Sequence, residues 1–477
     1  MAKKRELILH AFFSPLGLTA FKFNRNKSVR PFNFHHKETE VNCHKKIINK
    51  IILTSVLVSS LAMAQNIPVA KPEDVGMSSA RLKNISAILQ AEVDKGNIPG
   101  AVVMINRKGK LIYSEAIGYQ DKSANKAMSK DSIFRIYSMT KPLASVAAMI
   151  LVEDGKMQLA DPISKFMPEF ANMQVSVGTK NSNGLMEYAL VPATKPITVQ
   201  DLLRHTSGIG YPEITANPEI KKAYTQAGLY VQGGTDYDQR RVTPKEMISG
   251  IAKAPLNSQP GTNWEYGMSV DLLGRVVEVV SGKRLGDFMQ ERLFKPLQMK
   301  DTNFSVAADK KSRIAEPFPV DPFTKTPNKL LDVTINPNND SGGAGAAGTA
   351  GDYMNFVSMM LNGGELNGKR ILSPMTVNLM ASDMLGNRTT VPLPPGQLLM
   401  GVEGYTFGLG FMVRQGQGLA SVDGSPGEYM WAGAAGTFFW IDPKEQLAVV
   451  MMSQVPGPIR PYYRRLIKQV VSAAVIK

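Results

Sequence analysis

The 477-residue sequence predicts an α+β fold, with one antiparallel sheet built from N- and C-terminal segments, flanked by helices, beside a mostly helical region. Two observations predict it. Strand-like runs stand towards both ends of the chain: AVVMINRKGKLIYSEAIGY over 101–119, then YTFGLGFMVRQ, EYMWAGAAGTFFWID and LAVVMMSQ from Tyr405 onward. Between them the apolar residues recur mostly at helical spacing, broken by loops, with no internal repeat.

In order, Leu82, Ile85, Ile88, Leu89 and Val93 mark a helix over 78–95 that Gly96 ends. The run that follows is two strands joined at Lys108-Gly109, a β-hairpin. Ile133, Phe134 and Ile136 approach Ser138 as a strand, and Leu143, Val146, Ala147, Ile150 and Leu151 continue as a helix closed by Asp154-Gly155. Residues 172–196 read as a loop-rich insertion, and Thr198 with Asp201 as a capping box leading into LLRHTSGIGY. Short helices follow over 243–252, 271–280 and about 285–293, then a Pro/Asn/Gly-rich region over 312–345 and a helix over 349–361. A second loop spans about 386–404; loops this long in a compact protein usually line or cover a site. A final helix covers about 461–476.

The net charge of +15 is unevenly placed. Residues 1–64 hold 11 basic and 3 acidic residues, and the remainder 44 and 37. The main body has no dense basic run, so nucleic-acid binding is not indicated. Lys45, Lys46 and Lys50, the apolar run 51–63 and Ala62-Met63-Ala64 read as a signal peptide cut after Ala64. The run is shorter than the roughly 18–20 residues that span a bilayer, so no stable membrane anchor is expected after cleavage. Residues 1–44 read as a dubious upstream extension, making 1–64 a leader and 65–477 a single domain, periplasmic or secreted. Cleavage would remove the only cysteine, Cys43, and four of five histidines, leaving His205. A thiol nucleophile, a disulfide and a multi-histidine zinc site are then excluded, and no metal or other cofactor is expected.

Candidate chemistry centres on FRIYSMTKPLAS, 134–145. A serine at a helix N-terminus with a lysine one turn later places both side chains on one face. The hydroxyl there meets free N–H groups and the helix dipole, which suits a nucleophile deprotonated by a neutral amine. Taken bare, Ser138-x-x-Lys141 also reads as a capping serine beside a surface lysine, and Ser123-x-x-Lys126 repeats it in a polar segment with no helix behind. GAGAAG at 343–348 lacks a preceding strand and reads as a flexible turn before a helix rather than a dinucleotide site. His205 reads as a histidine holding a turn, with general base as the alternative. Tyr266, alone, reads as packing; Trp431-Ala432-Gly433-Ala434 places small residues in a strand, where something approaches the backbone closely.

Together FRIYSMTKP, ITVQDLLRHTSG, PGTNWEYGMSVDLLGRVVE, GGAGAAGTAGDYMNF and WAGAAGTFFW stand in an order that resembles the class C β-lactamase family and its relatives, serine esterases, penicillin-binding proteins and D-amino-acid peptidases. The resemblance covers about 71–475. It implies that Ser138 is acylated, that Lys141 and Tyr266 share proton transfer, and that the Ser138 and Ala434 amides form the oxyanion hole. It also implies that Trp431, Ala432 and Gly433 replace the family's Lys-Thr-Gly strand, and that Met268 takes the asparagine place of Tyr-x-Asn, both facing substrate. Met268 offers no amide, and Trp431 removes the cation expected to meet a carboxylate. Both departures favour a neutral ester substrate over a β-lactam or peptide. The leading expectation is thus an exported serine esterase acting on a small-molecule ester. A β-lactamase or D,D-peptidase of the same fold, acting on an amide, and a non-catalytic binding or sensor module are the alternatives.

Overall fold

The hairpin β1 (Gly100–Arg107) and β2 (Lys110–Asp121) turns on Lys108 and Gly109, both at positive φ, as a tight hairpin requires. In the computed structural model, residues 67–230 and 240–477 are described; the expected leader and its expected cleavage after Ala64, with Cys43 and four of the histidines, lie outside them. A short strand, β3 (Lys126–Ala127), extends β2. From the C-terminal part come β4 (Tyr405–Phe407), β5 (Met412–Arg414), β6 (Tyr429–Ala432), β7 (Phe438–Asp442) and β8 (Leu447–Ser453). All eight join one antiparallel sheet in the order β4-β5-β6-β7-β8-β1-β2-β3, so β8 against β1 is the seam between the two ends of the chain. That is the predicted sheet.

Every residue of β1 is buried, so both of its faces are covered. Helix α1 (Ser79–Asp94) packs on β1 and β2 and pairs with the final helix, Arg460–Ala473. The helix Ala350–Leu361 packs on β1, β7 and β8. In the helical region, α2 (Thr140–Glu153) has 12 of its 14 residues buried, which makes it a central helix rather than an amphipathic surface one. It packs against α3 (Ser269–Ser281), and α4 (Ala350–Leu361) and α5 (Arg460–Ala473) complete the principal helices. Among the described residues no helix is long and apolar enough to cross a membrane.

Three expectations are corrected. The segment 172–196, expected as a loop-rich insertion, is mostly strand: Gln174–Lys180 and Met186–Pro192 pair as a hairpin around Asn183-Gly184. Its strands are mostly exposed, so the period-2 apolar signal is weak. Within 386–404, Pro395–Met400 is a short helix begun by proline at its first position. GAGAAG is buried throughout: it begins in a turn, and its end forms the strand Ala347–Thr349 before the helix.

Candidate active site

Ser138 owes its position to an abrupt change of backbone direction. The strand Ile133–Arg135 is paired with Ala347–Thr349, and Tyr137–Met139 then form a single 3-10 turn that runs into α2. Tyr137 makes the corner at φ 44°, a left-handed conformation that costs a non-glycine residue about 1–2 kcal/mol. The surroundings hold it there: its hydroxyl accepts the Leu331 N–H at 2.9 Å. The Thr140 hydroxyl accepts the Ala346 N–H at 3.1 Å, and Tyr353 donates to the Met139 carbonyl at 2.9 Å.

Lys141 lies one turn on, 1% exposed. Its Nζ is 3.4 Å from Ser138 Oγ and donates to the Gly343 carbonyl and to Tyr211 Oη, both at 2.9 Å. The Gly343 carbonyl is itself anchored: Asp271, the third residue of α3, accepts the Gly343 N–H at 3.1 Å and the Ser341 hydroxyl at 2.5 Å. A Cβ on Gly343 would stand 2.1 Å from Asp271 Oδ2, so this approach needs glycine. The GAGAAG loop therefore serves the lysine.

Tyr266 Oη is 2.6 Å from Ser138 Oγ, closer than the lysine. Its ring is held by Trp431 and Tyr211, each at 5.3 Å, and by His205 at 5.0 Å. His205 is 1% exposed, and its Nδ1 accepts the Gly267 N–H at 3.4 Å. Burial, and then the Lys141 charge, hold its pKa well below the ordinary imidazole value, so it is neutral and able to accept that bond. It supports the tyrosine turn, whereas the sequence reading had it holding the turn in which it lies itself.

Strand β6 reaches Ser138 from the other side. A Cβ on Gly433 would meet Thr437 Oγ1 at 2.2 Å and the Ile136 carbonyl at 2.4 Å, so the strand end touches the segment just before Ser138. The cavity beside them, about 410 Å³, is lined by Ser138, Tyr266, Trp431, Ala432, Gly433 and Ala434. Tyr137, Tyr211, Ile214, Leu331, Leu398 and Leu399 make much of the rest apolar or aromatic, while Glu213, Arg460 and Arg464 add charge.

Met268 does not belong with these residues. It is fully buried, precedes α3 as its cap, and is not part of the cavity lining. Packing of α3 against α2 turns it into the core, which corrects the expectation that it faces substrate. Sequence reasoning missed Tyr211, Asp271 and the two arginines. Tyr211 stands eight residues after Leu203, the end of the capping-box helix, inside a quoted motif, but nothing local marks it as a partner of Lys141.

The Beta-lactamase family model matches residues 85–472. Protein Rv1367c of Mycobacterium tuberculosis is 32% identical over 371 residues, covering 77% of this chain and 88% of its own. Lovastatin esterase of Penicillium rubens is 29% identical over 390 residues, covering 78% and 92%. Among solved structures, EstCE1, a hydrolase with promiscuous acyltransferase activity, superposes with a TM-score of 0.64 at 25% identity, covering 82% of this chain and 98% of its own. The chain belongs to the beta-lactamase family and is a serine hydrolase of that fold.

Proposed function

We propose that the protein cleaves carboxylic esters through an acyl-enzyme on Ser138. The observation that carries this reading is the contact of Ser138 Oγ with Tyr266 Oη at 2.6 Å, backed by buried Lys141, at the wall of a largely apolar cavity. Ser138 Oγ attacks the ester carbonyl and Tyr266, the nearer group, takes its proton. Lys141, facing three oxygen acceptors, supplies positive charge beside the Tyr266 oxygen, favouring the phenolate that takes this proton. The tetrahedral oxyanion lies between the amides of Ser138 and Ala434, both in the cavity lining. The leaving alcohol recovers the proton, and water deprotonated by the same pair releases the acid. The similarity to lovastatin esterase and EstCE1 supports an ester as substrate.

A second reading, an amide-bond enzyme of the β-lactamase or D,D-peptidase kind, is favoured by one observation. Trp431 does remove a cation from the strand, but the partly exposed Arg460 returns one to the cavity wall from α5. A carboxylate-bearing substrate would find a partner there. We also read residues 45–64 as a signal peptide directing the protein to the periplasm or medium; N-terminal sequencing of the secreted protein tests this, and a start upstream of Gln65 would refute it.

Wild type, Ser138→Ala and Tyr266→Phe are assayed on short-chain nitrophenyl esters and a chromogenic β-lactam, with mass spectrometry for a covalent adduct. We expect ester turnover that Ser138→Ala abolishes, and a loss in kcat of about 10²–10⁴-fold in Tyr266→Phe. Lactam turnover comparable to ester turnover would establish the second reading instead. Absence of both turnover and adduct would leave only a binding role for the fold.

A further inference from the structure

Arg464, on α5, is 6% exposed and forks between two carbonyls: Nη1 donates to Leu399 O at 2.7 Å and Nη2 to Gly433 O at 3.0 Å. Among the described residues it has no carboxylate partner, and its Nε is buried without a hydrogen bond. Burial, then the neighbouring Arg460 charge, lower its pKa to about 9, still protonated at neutral pH. A buried guanidinium without a counter-ion destabilises a fold unless something offsets it.

Its target suggests what does. A trans peptide is planar, and its C=O and N–H point in opposite directions. Gly433 O and the Ala434 N–H belong to one peptide unit. Holding that oxygen therefore aims the Ala434 N–H the opposite way. The Gly436 N–H bonds the same oxygen at 3.2 Å, closing a tight turn over 433–436. A cation on the carbonyl also polarises the peptide and strengthens its N–H as a donor. Arg460, by contrast, donates to the Ala434 carbonyl, in the next peptide, whose N–H belongs to buried Ala435.

We propose that Arg464 is a positioning residue for the oxyanion hole, fixing the direction and donor strength of the Ala434 amide through the Gly433–Ala434 peptide. This rests on the reading of the Ser138 and Ala434 amides as the donors to the oxyanion.

The test uses the full-length chain as wild type, Arg464→Met, Arg464→Lys, Arg465→Met and Ser138→Ala. Arg465 bonds the Met400 carbonyl from the same helix and lies outside the cavity lining, so it reports on packing of α5 alone. Kinetics on p-nitrophenyl butyrate are paired with inhibition by phenylboronic acid, whose adduct on serine is tetrahedral and anionic, and with thermal melts. Removing a whole oxyanion donor costs about 10²–10³ in kcat, so misaiming one should cost about 10–100-fold. We expect Arg464→Met to lose that much in kcat and equally in boronate affinity, with KM within about threefold, Arg464→Lys to fall between, and Arg465→Met to match wild type. Folded Arg464→Met with unchanged kcat and boronate affinity overturns the proposal, as does a loss confined to KM or shared equally by Arg465→Met. If Arg464→Met does not fold, Arg464→Lys decides: parallel losses in kcat and boronate affinity support the proposal, and no loss in either overturns it. An active Ser138→Ala would sink the oxyanion-hole reading itself, whereas an inactive one beside fully active Arg464 variants would sink only the role of Arg464.

Discussion

Glu265 precedes the site tyrosine and is only partly exposed; burial alone pushes its carboxyl from the ordinary value of 4.5 up to about 7. Its backbone N–H donates to the His205 carbonyl at 2.8 Å, so it sits in the turn that aims Tyr266. A carboxyl whose pKa rises on folding keeps its proton longer in the native state than in the unfolded chain. Its contribution to stability is fully present below about 4.5 and is lost as pH rises through about 7. Glu265→Gln, which mimics the protonated form, should therefore melt with wild type at pH 4 and above it at pH 8. Thermal melts at the two pH values check this; an equal difference at both would mean that the carboxyl does not titrate as inferred. The same residue-by-residue view explains Met268. Its place after Tyr266 suggests a shared loop, but the first turn of α3 begins there and carries the side chain into the core.

At the scale of elements, the site depends on two backbones in van der Waals contact, the end of β6 and the segment before Ser138. Gly433→Ala would place a methyl 2.4 Å from the Ile136 carbonyl, and neither main chain can yield without moving Ala434, the proposed oxyanion donor, or Ser138, the proposed nucleophile. We expect the variant to remain folded by circular dichroism but to lose at least about tenfold in kcat, the lower end of what a misplaced donor costs. Retained kcat would show that the strand end can retreat freely. The small residues of the strand pointed to such an approach in the sequence; what approaches, the Ile136 carbonyl, lies almost 300 residues earlier and had no local signature.

Across the whole molecule, α5 closes the fold. Ser78 N–H bonds the Ala474 carbonyl at 2.8 Å, bringing the start of α1 to the end of the chain. Deeper in, Lys468 Nζ donates to Glu428 at 2.7 Å, and Glu428, just before β6, also accepts from Tyr405 at 2.9 Å and Arg414 at 3.3 Å. Both members of the Lys468–Glu428 pair are essentially unexposed, at 1% and 0%. Breaking one side of such a pair typically costs about 3–5 kcal/mol because it strands a buried charge. Lys468→Met leaves Glu428 its more distant partner Arg414 at 3.3 Å, so it should lose less than that in urea unfolding, and adding Glu428→Gln should cost less than the sum of the single changes. Strictly additive losses would show that the two groups do not couple.

The sequence by itself determined what depends on local spacing and periodicity. The hairpin at 101–119, the capping box at Thr198, the central helix and the one-turn offset of Ser138 and Lys141 all follow from residues close in the chain. Tyr266 and the Trp431 strand were legible through the order of motifs, because that order is a property of the chain and not of its packing. Only the tertiary structure decided which side chains share the cavity. It brought in Tyr211, Leu399 and Arg464, removed Met268, and turned GAGAAG from a supposed flexible turn into the support of Lys141. These are contacts between segments 31 to 202 residues apart, and almost 300 for Gly433 against Ile136, formed when helices and sheet close on one core, and no short window of sequence records them.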